Sequence, residues 1–161
     1  MRALVPLDGS EASYQALDRA LALLKGLPAL EVTLFNVMQE GFESAGDPDY
    51  VEETFEKDEE DEVFPTEASS QRVLARGLEV ARKHGIAAKA KGEVGRPMDE
   101  ILREAAHHDV MVVHALGRSN LRDALKGSTA EQLVRKAPCS VLLVQPGEAT
   151  EGAAGRAPAT P

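Results

Sequence analysis

A single cysteine, Cys139, stands among 161 residues. It excludes an intrachain disulfide and any zinc cluster resting on thiolates. Long apolar runs are also missing. No stretch approaches the ~18 residues that a membrane span needs, so no membrane partner is expected. The opening run, Met1 to Leu7, is too short for a signal peptide, and Asp8 interrupts it. By default these absences favour a cytoplasmic protein. No basic stripe is visible, so no nucleic acid is expected as a partner. Two nucleotide motifs are absent as well. Lys126 precedes Gly127-Ser128, the wrong order for a P-loop, and there is no G-x-G-x-x-G. A receiver domain would need paired acids after its first strand, and only Asp8 is there. Nothing resembles the G-x-S-x-G spacing of a hydrolase.

What is present suits one domain with a real core: 43% of the residues are hydrophobic. The net charge of −9 is a local matter. Residues 40–67 hold 13 acids and one base, Lys57, a charge of −12, while the remaining 14 acids and 17 bases leave +3. The body is thus nearly neutral and can host an anionic ligand. The acidic insertion, about 40–68, reads as a solvated face or loop and lacks the D-x-[DN]-x-[DN]-G pattern of a calcium site.

Along the chain, residues 2–7 read as a buried strand. Ser10 is placed to cap a helix carrying Leu17, Ala20, Leu21 and Leu24, stopped by Gly26 and Pro28. Leu30 to Met38 reads as a second strand. Val73, Leu74, Leu78 and Ala81 mark a helix from about Ser69, with Gly85 just beyond its end. Ile86 to Glu93 is a weak edge strand. Pro97 opens a third helix whose stripe is Met98, Ile101, Leu102 and Ala105. Val110 to Val113 is a continuous apolar strand, followed by a loop to about Lys126. A last helix with Ala130, Leu133, Val134 and Ala137 leads to a strand at Val141 to Val144. This alternation predicts an α/β fold, with five parallel strands in the order 3-2-1-4-5 and helices on both faces. Residues 146–161, rich in Ala, Gly, Pro and Thr, read as a flexible tail.

In such sheets ligands bind beyond the carboxyl ends of the strands, where the strand order reverses. Two polar clusters lie at strand ends: Leu7-Asp8-Gly9-Ser10, and the stretch from His114 to Thr129. In the second, Gly117 permits a tight turn, and Gly127-Ser128-Thr129 opens a helix whose free N–H groups suit a phosphate. Arg118, Arg122 and Lys126 add positive charge. A Gly-Ser pair before a helix is equally a plain cap, and Asp8 is equally a cap for the helix after it. The placement after an apolar strand is what favours a ligand.

Gly117, a nine-residue spacer and Gly127-Ser128 resemble the glycine motif of nucleotide-binding universal stress proteins. Val5-Pro6-Leu7-Asp8-Gly9-Ser10, Gly95-Arg96-Pro97, Val110 to Val113, and the run from Ala130 to Val144 resemble that family's strand ends and last helix and strand. The similarity spans about residues 2–145, apart from the acidic segment, so a universal stress protein domain over 1–145 is expected. The resemblance implies an adenine nucleotide alpha hydrolase-like, Rossmann-like fold that binds ATP, or ADP or AMP, with Mg2+ accompanying ATP. Asp8 would hold the ribose hydroxyls, and Leu7 and Val37 would offer backbone groups to the adenine. Gly117, Gly127, Ser128 and Thr129 would cradle the phosphates, with Arg118 beside them. One position departs. The family's first glycine is His114 here, whose imidazole would crowd the site, stack on a base or bond a phosphate. The resemblance also implies a homodimer through Val141 to Val144. A stress-response or regulatory module follows, with no catalytic residue assigned; a slow ATP hydrolase and a nucleotide-free dimeric interaction protein are the alternatives.

The other histidines invite plainer readings. His107 and His108 point apart on a helix and suit a solvated helix end rather than a metal. His84 suits a helix dipole. Cys139 reads as a small buried residue.

Overall fold

Ala3 and Val5 point to one side of the first strand and Leu4 to the other, and all three are sealed from solvent. Burial on both faces is what a central parallel strand requires. The computed structural model describes residues 1–38, 67–115 and 129–145. They form β1 (Arg2–Pro6), α1 (Glu11–Leu24), β2 (Glu31–Met38), α2 (Glu67–Lys83), β3 (Ala88–Val94), α3 (Pro97–Ala105), β4 (Val110–His114), α4 (Thr129–Lys136) and β5 (Ser140–Val144).

The five strands are parallel, in the order β3-β2-β1-β4-β5. β1 pairs with β2 from Arg2↔Glu31 to Pro6↔Phe35, and with β4 at Ala3↔Val110 and Leu4↔Met111. The period of two along each strand divides the core. Ala3, Val5, Val32, Leu34, Val110 and Val112 pack with α1 and α2. Leu4, Phe35, Met111 and Val113 pack with Ile101 and Ala105 of α3 and Ala130 and Leu133 of α4. Each fully buried Leu or Phe contributes roughly 1.5–3 kcal/mol over its exposed state. α2 comes unusually near the sheet at Gly77. A Cβ there would lie 2.6 Å from Leu7 Cδ1 and 3.0 Å from Leu34 Cδ1, so the missing side chain lets the helix lie this close to the carboxyl end of β1.

Several local expectations are corrected. α2 begins at Glu67, two residues early, and β3 runs from Ala88 to Val94 rather than from Ile86 to Glu93. Val134 is 41% exposed and not part of the α4 stripe, because Ala130 and Leu133 already fill the contact with the sheet. His108 is not solvated. Its ring is 7% exposed, with Nδ1 2.9 Å from Glu104 O and Nε2 3.1 Å from Thr33 Oγ1. His84 does more than meet a dipole: its Nε2 lies 2.7 Å from Asp18 Oδ1 on α1, tying α2 to α1. Cys139 is half-buried against the α3/α4 core, and burial pushes its thiol up. Among the described residues no helix is long and apolar enough to cross a membrane. The acidic insertion 40–68, except Glu67 and Ala68, and the tail 146–161 lie outside the described residues.

Candidate functional site at the ends of β1 and β4

From β1 the chain moves outward to β2 and β3; from β3 it returns across the sheet to β4, on the other side of β1. The reversal point is therefore the gap beyond the carboxyl ends of β1 and β4, where open α/β sheets bind ligands. Asp8 follows β1 and His114 closes β4, so both predicted residues reach this gap. Asp8 Oδ2 stands 3.8 Å from His114 Nε2. That is beyond hydrogen-bond range.

The Asp8 carboxylate is held by its own turn. Oδ1 accepts hydrogen bonds from Ser10 N at 2.8 Å and Ser10 Oγ at 2.6 Å. Ser10 in turn caps α1: at φ −70°, ψ 151° its Oγ accepts from Ser13 N. Asp8 thus does not cap the helix itself, as one reading of the sequence allowed. It orients the cap, and Oδ1 is committed to Ser10 while Oδ2 is turned toward His114. The side chain of Asp8 is 56% exposed and that of His114 only 19%. Between Asp8 and Ser10 the chain needs Gly9, whose φ of +87° disfavours any residue with a Cβ; a Cβ would also come within 3.1 Å of Val73 Cγ2 on α2.

Leu7 is buried, and both its backbone groups have partners. Its N–H donates to Phe35 O at 2.7 Å, and its carbonyl accepts from Asn36 Nδ2 at 2.8 Å. What remains for a ligand is the second lone pair of that carbonyl. Asn36 is the residue the sequence reading missed. It is 8% exposed within an apolar strand, and its amide extends the β1–β2 ladder past the end of β1. An unexplained polar residue in a buried strand was the available signal. Val37 is better placed for recognition through the backbone. Glu31 N and Phe35 O face β1, so Val37 presents its N–H and carbonyl to the same side, beyond the last β1 rung. Thr129 starts α4, where its N-terminal N–H groups are oriented for an anion. Gly117, Arg118, Gly127 and Ser128 lie outside the described residues.

The profile of the universal stress protein family matches residues 1–145. The chain belongs to the universal stress protein family. The universal stress protein YxiE of Bacillus subtilis is 31% identical over 147 residues, which cover 88% of this chain and 97% of YxiE. Among solved structures, a universal stress protein in complex with cAMP aligns with a TM-score of 0.63 at 21% identity, covering 91% of this chain and 98% of its own. A universal stress protein family protein from Arabidopsis thaliana with AMP bound gives 0.64 at 17% identity, covering 91% and 92%. At these identities the two structures speak for the universal stress protein fold. Among the described residues no group of three or more His, Cys, Asp and Glu side chains is arranged to hold a metal ion.

Proposed function

We propose that this universal stress protein binds an adenine nucleotide across the ends of β1 and β4, and acts as a stress-response or regulatory module without rapid turnover. The observation that carries the reading is the Asp8 carboxylate. One oxygen is fixed by Ser10 and the other stands in the gap at the switch point. A carboxylate oxygen so held accepts from a ribose hydroxyl without first losing its own freedom. The related structures that hold cAMP and AMP support adenosine as the shared part of the ligand. Val37 and the Leu7 carbonyl would meet the adenine. His114, Gly117, Arg118, Gly127, Ser128 and Thr129 would line the phosphate side, which extends the reading to ATP. Asp8 is the one carboxylate this set supplies, and it is committed to Ser10 and the ribose. Mg2+ with ATP would therefore be held by phosphate oxygens and water, as this ion usually is.

The protein purified from cells and then denatured should release AMP, ADP or ATP, identified by mass spectrometry. Release of no nucleotide, together with no heat of ATP binding in calorimetry, would favour the nucleotide-free interaction protein instead.

Assembly belongs to the same reading. β5 is an edge strand on which Val141, Leu142 and Leu143 are only half-buried. An apolar edge is normally covered, and pairing with β5 of a second copy about a two-fold axis would cover it. Light scattering should give the mass of a dimer; a monomer at micromolar concentration contradicts this assignment.

A further inference from the structure

We infer that Asn36 is a positioning residue for the base of the nucleotide: its side-chain amide takes the bond on the Leu7 carbonyl that the Val37 N–H would otherwise make, and so leaves Val37 open to a ligand. The inference rests on the proposed nucleotide site and adds a residue to it. Its basis is the periodicity of the β1–β2 ladder. The register runs unbroken from Arg2↔Glu31 to Pro6↔Phe35. At its start Glu31 N donates to Met1 O at 2.9 Å, and past its end Leu7 N donates to Phe35 O at 2.7 Å. A parallel ladder repeats this pattern every two residues, so the bond due next is Val37 N–H to Leu7 O. The described residues do not form it. Leu7 O accepts instead from Asn36 Nδ2 at 2.8 Å.

The two sides of β2 explain how this state is held. On the far side, Val37 and Met38 stay in register with Glu93 and Val94 of β3, and Gly95 N donates to Met38 O at 2.9 Å. β2 thus continues on β3 after its pairing with β1 has ended. On the near side, the period of two puts Asn36 on the sheet face of Val32 and Leu34, which packs against α1 and α2. Asn36 is buried there. A buried amide costs free energy unless it is bonded, and a leucine would fill the same face without that cost. What the amide supplies, and a leucine cannot, is the bond to Leu7 O.

The consequence falls on Val37. Its N–H and carbonyl face the gap as a donor beside an acceptor. Adenine presents the complement, an amino donor beside ring-nitrogen acceptors. Without the Asn36 amide, the Leu7 carbonyl would recover its regular ladder partner. The Val37 N–H would then be spent on the protein rather than on the base.

The test uses Asn36→Leu and Asn36→Ala, which both remove the donor, the first at similar side-chain size. Amide hydrogen exchange is followed by NMR in the empty proteins, and ATP affinity by calorimetry. In wild type the Val37 amide should exchange freely and be slowed by ATP. In the empty variants it should slow by roughly tenfold or more, because a paired amide exchanges only when its bond opens. ATP affinity should fall roughly three- to tenfold, the net worth of one hydrogen bond. A merely structural Asn36 gives the opposite sign: its loss loosens the strand end, and faster Val37 exchange in the variants overturns the inference. ATP affinity equal to wild type in both variants overturns it too, while leaving the nucleotide site standing. Failure of wild type to bind ATP overturns the site itself and the inference with it. Should neither variant fold, wild type decides alone. A Val37 amide already protected in the empty protein overturns the inference, and one that ATP alone protects supports it.

Discussion

Replacing Asp8 with alanine is expected to lower adenine-nucleotide affinity by roughly ten- to several-hundred-fold. A hydrogen bond to a charged acceptor contributes about 1.5–3 kcal/mol, and each 1.4 kcal/mol is a factor of ten. Oδ2 can accept one or both ribose hydroxyls, which sets the range. The alanine variant also strips Ser10 of the acceptor for its N–H and hydroxyl, so part of the loss would come from a loosened turn rather than from the ligand. Asp8→Asn separates the two effects. Its amide oxygen can still receive Ser10, while the NH2 group replaces the second acceptor with a donor. Calorimetry should find the nucleotide weakened in both variants. Thermal melting should find the asparagine variant closer to wild type than the alanine variant. Undiminished affinity in Asp8→Asn would remove the carboxylate from the site.

Phe35→Ala should cost about 3–5 kcal/mol of folding stability, the usual range for emptying a large aromatic from a core. Among the described residues Phe35 is the largest fully buried side chain, at 1% exposure, and packs in the cluster of Leu4, Ile101, Met111 and Val113. The Lys91 ammonium lies 5.9 Å from its ring centroid, and the cation–π contact adds a smaller increment. The backbone of the same residue holds Leu7 N, so the lesion lies next to the site without touching the ligand groups. Urea unfolding should show a lower midpoint with an unchanged slope. A loss below about 1 kcal/mol, far under that range, would mean that the α3/α4 core closes over the space.

The strand order and the two-faced core were legible because each strand repeats a simple code. β1, β2 and β4 are apolar at odd and even positions alike, which calls for cover on both faces, while Lys89, Lys91 and Glu93 mark β3 as an edge. Caps and breakers are local, so Ser10 and Pro97 could be placed directly. What escaped the sequence depends on register between distant segments. Asn36 reaches Leu7 O only because β1 ends one residue before that carbonyl. His108 finds Thr33 only because α3 crosses over to the strand that carries it. The meeting of Asp8 and His114 followed from the topology; the commitment of Oδ1 to Ser10, which decides what the site has left to offer, did not.

The position of β1 in the middle of the sheet has a consequence for biosynthesis. Residues up to Val94 can complete β3-β2-β1 with α1 and α2 in place while the ribosome is still adding the rest. The other edge of β1 then waits for a partner: Arg2 pairs with Asp109, 107 positions later, and Ala3 and Leu4 pair with β4. A nascent chain paused in between carries an open, apolar strand edge, the kind of surface that aggregates or recruits chaperones. It also carries half of the proposed site, since Asp8 is present and His114 is not. A nucleotide at the proposed site would be gripped by both strands only after β4 has docked. Nucleotide added during refolding should therefore hold back unfolding of the finished sheet rather than hasten the assembly of its first half.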